Sequence, residues 1–254
     1  MLVLLPPSET KRDGGDGASL ALDRLAFPSL DAARATALAS TVDLAADADA
    51  MMRALKLGPR QAAEVDRNRA LLESQTLPAL DRYTGVLYDA LDAPALDDAA
   101  REFAAHGVAV HSALFGLVGA LDPIPAYRLS HDSRLPGIRL KRLWREPIAA
   151  ELSGRDDLIV DLRSEGYVEL GPAPRREGSV FLRVVSVDDS GRRRALNHFN
   201  KRTKGLFTRA LLEHRPELGT TSELLDWAAS AGFRLEAGVA AEAEPTGELE
   251  LVAA

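Results

Sequence analysis

The sequence predicts a mixed α/β fold: one domain over residues 1–254, with a central mixed sheet surrounded by helices. Three observations carry that expectation. Short apolar runs, unbroken at residues 2–5 and nearly so at 158–162, have the hydrophobicity of strands covered on both faces. Longer stretches rich in Ala, Leu and Met have helical composition. The two kinds of stretch alternate irregularly, without internal repeat, long linker or low-complexity tract beyond one alanine-rich helix, in a chain that is 46% hydrophobic and long enough to bury a substantial core.

In chain order, residues 2–5 form a buried first strand that Pro6 and Pro7 end, because proline cannot continue a central ladder. A loop rich in Gly and Asp follows. Residues 31 to about 57 form a helix closed by Gly58-Pro59, and residues 60–74 form a second. A third helix over 97–106 leads into a strand at 108–110. Pro123, Pro125 and Pro136 mark 121–137 as a connecting loop of fixed geometry. Residues 141–152 are helical, with a start or kink at Pro147. Strands follow at 158–162, expected to be central, and at 180–187. Helices over 201–214 and 222–231 precede closing strands at 233–235 and 248–252.

Composition excludes several classes of function. Met1 to Leu5 is too short for a secretory leader, and no window reaches the roughly eighteen apolar residues of a membrane span. The chain therefore reads as cytoplasmic, with no membrane partner. With no cysteine there is no disulfide, thiolate metal site or cysteine-based peroxide chemistry, and no cofactor or metal is expected. His106, His111, His131, His198 and His214 are dispersed and read as structural or solvated rather than as ligands. The phosphate-loop, dinucleotide and zincin motifs are absent. The net charge is −7, yet two runs without acids, 133–145 and 190–212, together hold twelve Lys and Arg. One part of an acidic protein is thus arranged to face anions.

The second basic run contains the strongest candidate. In residues 197–214, Leu206, Phe207, Ala210 and Leu211 mark an apolar helix face, and Asn200 stands where an N-cap belongs. Lys201, Arg202 and Lys204 then fall in the first turn, at the positive end of the macrodipole, where cations are disfavoured unless an anion binds there. Arg209 follows two turns on. The alternative is a solvated basic face. The opening loop fits the same scheme, since ligands in open α/β sheets sit beyond the carboxyl ends of strands. Ser8, Thr10 and Lys11 follow the first strand, and Glu9 offers a base or carboxylate partner; an ordinary surface loop is the competing reading. After the strand at 158–162, Ser164 and Tyr167 flank Gly166, either as site residues or as a turn with a packed Tyr.

These stretches, taken in order, resemble the YaaA family of bacterial peroxide-stress proteins. The similarity runs from end to end: MLVLLPPSETK at the start, YTGVLYDAL with Tyr83, LFGLVGALDPIPAYRL with Asp122, Tyr127 and Arg128, then LKRLW, DLRSEGY and KRTKGLFTR. The chain departs from the family pattern at Glu9, with its lysine two positions later, and at Ala126. The resemblance implies a role in limiting iron-dependent oxidative damage. It also implies a positively charged cleft and DNA binding aided by a helix-hairpin-helix-like element, here at about 51–73 around Gly58-Pro59. A plain connection between two helices is equally open there, since the first of the usual two glycines is missing.

Two functional readings follow. In the first, a DNA-binding protein of the peroxide-stress response lines a basic cleft with Lys11, Arg128, Asn200, Lys201, Arg202, Lys204 and Arg209, beside Ser8, Thr10, Tyr83, Asp122, Tyr127 and Ser164. In the second, an enzyme acts on a nucleotide or another phosphorylated small molecule, with Glu9 or Asp161 as base and Tyr167 or Lys11 as acid. A scaffold for a protein partner is a third. A closed pocket the size of one nucleotide favours the enzyme, and a groove wide enough for a duplex favours DNA.

Overall fold

The computed structural model describes residues 1–187, 193–195, 199–238 and 247–253. The first half contains β1 (Leu2–Leu5), α1 (Asp31–Ala45), α2 (Ala48–Ala54), α3 (Ala63–Arg69), β2 (Leu77–Pro78), α4 (Ala79–Arg82), α5 (Val86–Leu91), α6 (Asp98–Gly107), β3 (Val108–Ser112), β4 (Gly116–Gly119) and β5 (Pro123–Ile124). The second contains α7 (Leu140–Ser153), β6 (Ile159–Asp161), α8 (Glu165–Val168), β7 (Ser179–Val187), β8 (Arg193–Ala195), α9 (Phe199–His214), α10 (Thr221–Ser230), β9 (Leu235–Ala237) and β10 (Gly247–Val252).

The main sheet has the order β4-β3-β1-β6-β7-β10-β9. Its five middle strands, β3-β1-β6-β7-β10, run parallel, and the antiparallel β4 and β9 close the two edges. β7 is long enough that β6 pairs with its first residues while β8 pairs antiparallel with Val185–Val187 on the same edge. A separate ribbon joins β2 to β5. All four residues of β1 and all three of β6 are buried, as two-sided coverage requires. One hydrophobic cluster extends from Leu2 to Leu251. The mixed α/β fold and its central mixed sheet are thus as expected.

Differences from expectation have local causes. The helix over 31–57 is two helices, because the Asp47 side chain accepts from Ala50 N (3.0 Å) and starts a new one. Residues 60–74 begin as a 3-10 turn, Pro59–Gln61, and the helix ends at Arg69. β4 was not expected. It turns back on β3 at Gly116, whose φ of 67° suits glycine, and a Cβ there would press on the Trp144 ring. Helices α4, α5 and α8 are also additional, and β9 begins two residues later than expected. Arg192 and His198 lie outside the described residues. Among the described residues no helix is long and apolar enough to cross a membrane.

A candidate ligand site at the carboxyl edge of the sheet

The chain leaves β1 to build β3 on one side and later places β6 on the other, so connections after β1 and β6 diverge and leave a crevice between them. A cavity of about 640 Å³ lies there. It is lined by residues 6–9 after β1, by 129–132, by 163–165 and Tyr167 after β6, by 181–184 of β7, and by Asn200, Lys201 and Lys204 of α9.

The opening loop is held by its neighbours. Fully buried Arg82 donates to the carbonyls of Ile124 (3.0 Å), Gln75 (3.0 Å) and Arg12, while Arg12 N donates to Arg82 O (2.8 Å) and Thr84 N to Thr10 O (3.2 Å). This pins residues 10–12 against 82–84 and wraps the loop around its own lysine. Lys11 Nζ donates to Ser8 O (2.8 Å) and Glu9 O (3.3 Å), 4.0 Å from the Tyr127 ring centroid and 5.3 Å from that of Tyr83. Burial, reinforced by the Arg128 charge, lowers its pKa to about 7. Beneath it, Ser112 Oγ accepts from Leu114 N and Phe115 N, so its hydrogen is directed to the Tyr127 hydroxyl (2.7 Å), which is bonded in turn to that of Tyr83 (2.8 Å). Burial pushes Tyr127 up to about 12 and Tyr83 well above the usual phenol range. Arg128 reaches Glu9 Oε2 at 2.8 Å, and its backbone is clamped on both sides by the buried Asn68 amide, at 2.7 Å each way.

On the β6 side, Asp161 is 3% exposed and wholly engaged by Arg163. The guanidinium donates to Oδ1 (2.9 Å) and Oδ2 (2.6 Å), and Arg163 N adds a third bond to Oδ1 (3.0 Å). Arg163 Nη1 also donates to Gly171 O and His111 Nδ1, both at 2.8 Å. Arginine has no acceptor, so Nδ1 is the bare nitrogen of a neutral imidazole and Nε2 carries the proton. That Nε2 is buried and has no partner among the described residues. Burial and the Arg163 charge hold His111 well below the ordinary histidine value. The Tyr167 ring stands edge-on between His111 (5.4 Å) and His131 (5.2 Å). Sequence reasoning missed Arg163, although it lies within DLRSEGY, and read His131 as structural or solvated, because only the topology brings the two to one cavity.

Helix α9 closes the cavity. Gly205 lets it approach the Leu87 carbonyl of α5, closer than a Cβ would allow. Its buried side is therefore centred on Lys204, Gly205, Phe207, Thr208, Leu211 and Leu212, while Leu206 and Ala210, expected at the centre, are only half-buried. Lys204 is 5% exposed and donates to Leu162 O at 2.8 Å; burial lowers its pKa to about 8. Asn200, expected as the N-cap, lies inside the first turn, and its buried Oδ1 has no partner among the described residues. Lys201 and Arg202 are exposed.

The structure thus gathers Ser8, Glu9, Ser164, Tyr167, Asn200, Lys201 and Lys204 at one cavity, with Lys11, Tyr83, Tyr127 and Arg128 packed behind the opening loop. It places others apart. Asp161 serves Arg163. Arg209 is bound to Glu213 (2.8 Å), Asp92 (3.2 Å) and Leu91 O (3.1 Å). Asp122 accepts from Ala26 N and Gly119 N, both at 2.8 Å, and so caps a turn; burial raises its pKa. The lining is of mixed charge, with Arg163, Arg183, Lys201 and Lys204 facing Glu9, Asp132 and Glu165. Arg183 is paired with Glu248 (2.8 Å) and Glu165 (3.0 Å), and Asp132 with Lys56 (2.7 Å). A second cavity of about 390 Å³ opens on the other side of the loop, lined by residues 6–10, 84–88 and again Lys201.

Residues 1–238 match the family model described as Peroxide stress protein YaaA. The chain is similar to a UPF0246 protein of Corynebacterium glutamicum (strain R), 42% identical over 241 residues that make up 93% of this chain and 95% of the relative. It is 43% identical, with the same coverage, to a UPF0246 protein of Corynebacterium efficiens. To one of Streptomyces coelicolor it is 40% identical, over 93% of this chain and 92% of the relative.

Proposed function

The chain belongs to the peroxide stress protein YaaA family, and from that premise we propose that it limits oxidative, iron-dependent damage as a DNA-binding protein that seats a nucleoside-phosphate unit of the DNA in the 640 Å³ cavity. One observation carries the reading: two groups of complementary kind sit on the same turn of α9 at the cavity wall. Among the described residues, Asn200 Oδ1 is a buried polar atom without a partner, suited to the edge of a base, and Lys201 is a cation without an ion pair, suited to a phosphate. The volume falls within the roughly 300–1,000 Å³ of small-ligand sites, so the cavity takes a nucleotide rather than a duplex. The duplex interface belongs instead to the α2–α3 hairpin. That hairpin adjoins the cavity mouth through Lys56–Asp132 and the bond from Arg134 N to Ala54 O (3.2 Å).

Fluorescence anisotropy with labelled duplex and single-stranded DNA, over a salt series, tests the reading. Lys201→Ala/Arg202→Ala is expected to weaken binding of the single strand and to make its slope of log K against log salt shallower by roughly 0.7 for each phosphate that the helix no longer neutralises. Unchanged affinity and slope would remove α9 from the DNA interface.

A second reading, an enzyme acting on a free nucleotide, is favoured by Lys204. An amine with pKa near 8 on the cavity wall is partly neutral at physiological pH and can act as base or nucleophile, which phosphate binding does not require. Conversion of a nucleotide by the wild type and not by Lys204→Met would put this reading first.

A further inference from the structure

The two cavities beside the opening loop share Pro6, Pro7, Ser8, Glu9 and Lys201. They therefore adjoin along these residues as along one ridge, with Lys201 lining both. We propose that they form a single two-chamber site that holds two consecutive nucleotides of a single strand, one in each chamber, with the connecting phosphate on the ridge under Lys201. This rests on the nucleotide reading of the larger cavity and extends it to the second.

The chambers differ as such a ligand requires. The larger offers Asn200 Oδ1 for a base edge, beside carboxylates suited to sugar hydroxyls and cations suited to phosphate. The smaller, about 390 Å³, is bounded by Pro6, Pro7, Val86 and Leu87, with Thr10 and Thr84 at its polar side, and suits a flat base packed on apolar surface. Between them the ridge carries Ser8 Oγ, bonded to Thr10 Oγ1 at 3.2 Å, the exposed ammonium of Lys201, and the Glu9 carboxylate, whose charge Arg128 offsets at 2.8 Å. A single cation shared by two chambers recognises a charge common to both occupants, and the phosphodiester of a dinucleotide is such a charge. A mononucleotide fills one chamber and leaves the other to water. The ridge also explains why a duplex does not fit, since its paired bases cannot part around the loop.

Calorimetric titration of the full chain with a deoxynucleoside 5′-monophosphate and with the corresponding deoxydinucleotide tests the proposal. The dinucleotide is expected to bind about tenfold or more tightly, as one further stacked base provides. Thr10→Trp, which fills the smaller chamber, is expected to bring the dinucleotide down to the affinity of the mononucleotide, and Lys201→Ala to reduce the advantage of the dinucleotide. Equal affinity of both probes for the wild type would overturn the two-chamber site and leave the nucleotide reading standing. Binding of neither probe would overturn the nucleotide reading itself.

Discussion

Lys11 is enclosed by the loop that carries it, and its depressed pKa makes the stability of the protein depend on pH. The folded chain holds the proton with a pKa of about 7, the unfolded chain with one near 10.5. Between those values the unfolded state binds more protons, so this group's contribution to stability rises with pH through that window and its cost is fully present below pH 7. Lys11→Met removes the effect. The difference in Tm, wild type minus variant, should therefore increase from pH 7 to pH 10 in calorimetric scans; a constant difference would mean that Lys11 is not held in its burial. Arg163 poses the opposite case. In Arg163→Met the buried Asp161 loses its partner, which is expected to cost about 3–5 kcal/mol in urea unfolding, whereas Asp161→Leu/Arg163→Met recovers much of the loss. The two residues were unequally legible. Lys11 could be located from its position just after an apolar strand, which is a property of the sequence. Arg163 was passed over beside a more suggestive Ser and Tyr, because two of the partners that explain its burial lie on β3 and after α8.

Helix α9 joins two roles, and its two ends respond differently to substitution. Gly205→Ala gains helix propensity of up to about 1 kcal/mol, yet the new methyl meets the Leu87 backbone, which cannot swing aside. A net loss of about 1–3 kcal/mol is expected by thermal denaturation, as for other overpacked sites. Lys201→Ala/Arg202→Ala removes two exposed cations from the positive end of the same helix, so Tm at low salt is expected to stay equal or rise. A fall would assign those cations to stability rather than to a ligand. Lys204 behaves otherwise than its place in the basic run suggests, because α5 rotates it to the buried side, where its charge is opposed by burial and its amine bonded to a backbone carbonyl. Elements with strong punctuation were readable, among them β1 before two prolines and α6 and α10 behind Asp97 and Thr220 caps. The break between α1 and α2 was not, since it falls in an alanine-rich stretch where a single Asp cap outweighs continuous propensity. Nor was β4, four residues long and half glycine, whose pairing with β3 gives it its form.

Across the whole molecule, the site draws on residues as far apart as Ser8 and Lys204, and one apolar cluster runs through the sheet between them. Unfolding is accordingly expected to be a single cooperative transition, with near- and far-ultraviolet dichroism superimposing. Limited proteolysis that released two independently folded halves would contradict it. The order of strands has a further consequence, which concerns synthesis. β1 pairs along one edge with β3, at Val3–Val108, and along the other with β6, at Leu2–Ile159. At a ribosomal rate of about 5–20 residues per second, its four apolar residues wait roughly 8–30 s for the second of those edges. During that interval a hydrophobic strand with an unpaired edge is available to chaperones and to neighbouring nascent chains. The cavity is later still, because its last wall is α9. The strand on which the candidate site is founded is thus made long before its last wall, and the site is incomplete until the chain has passed Lys204.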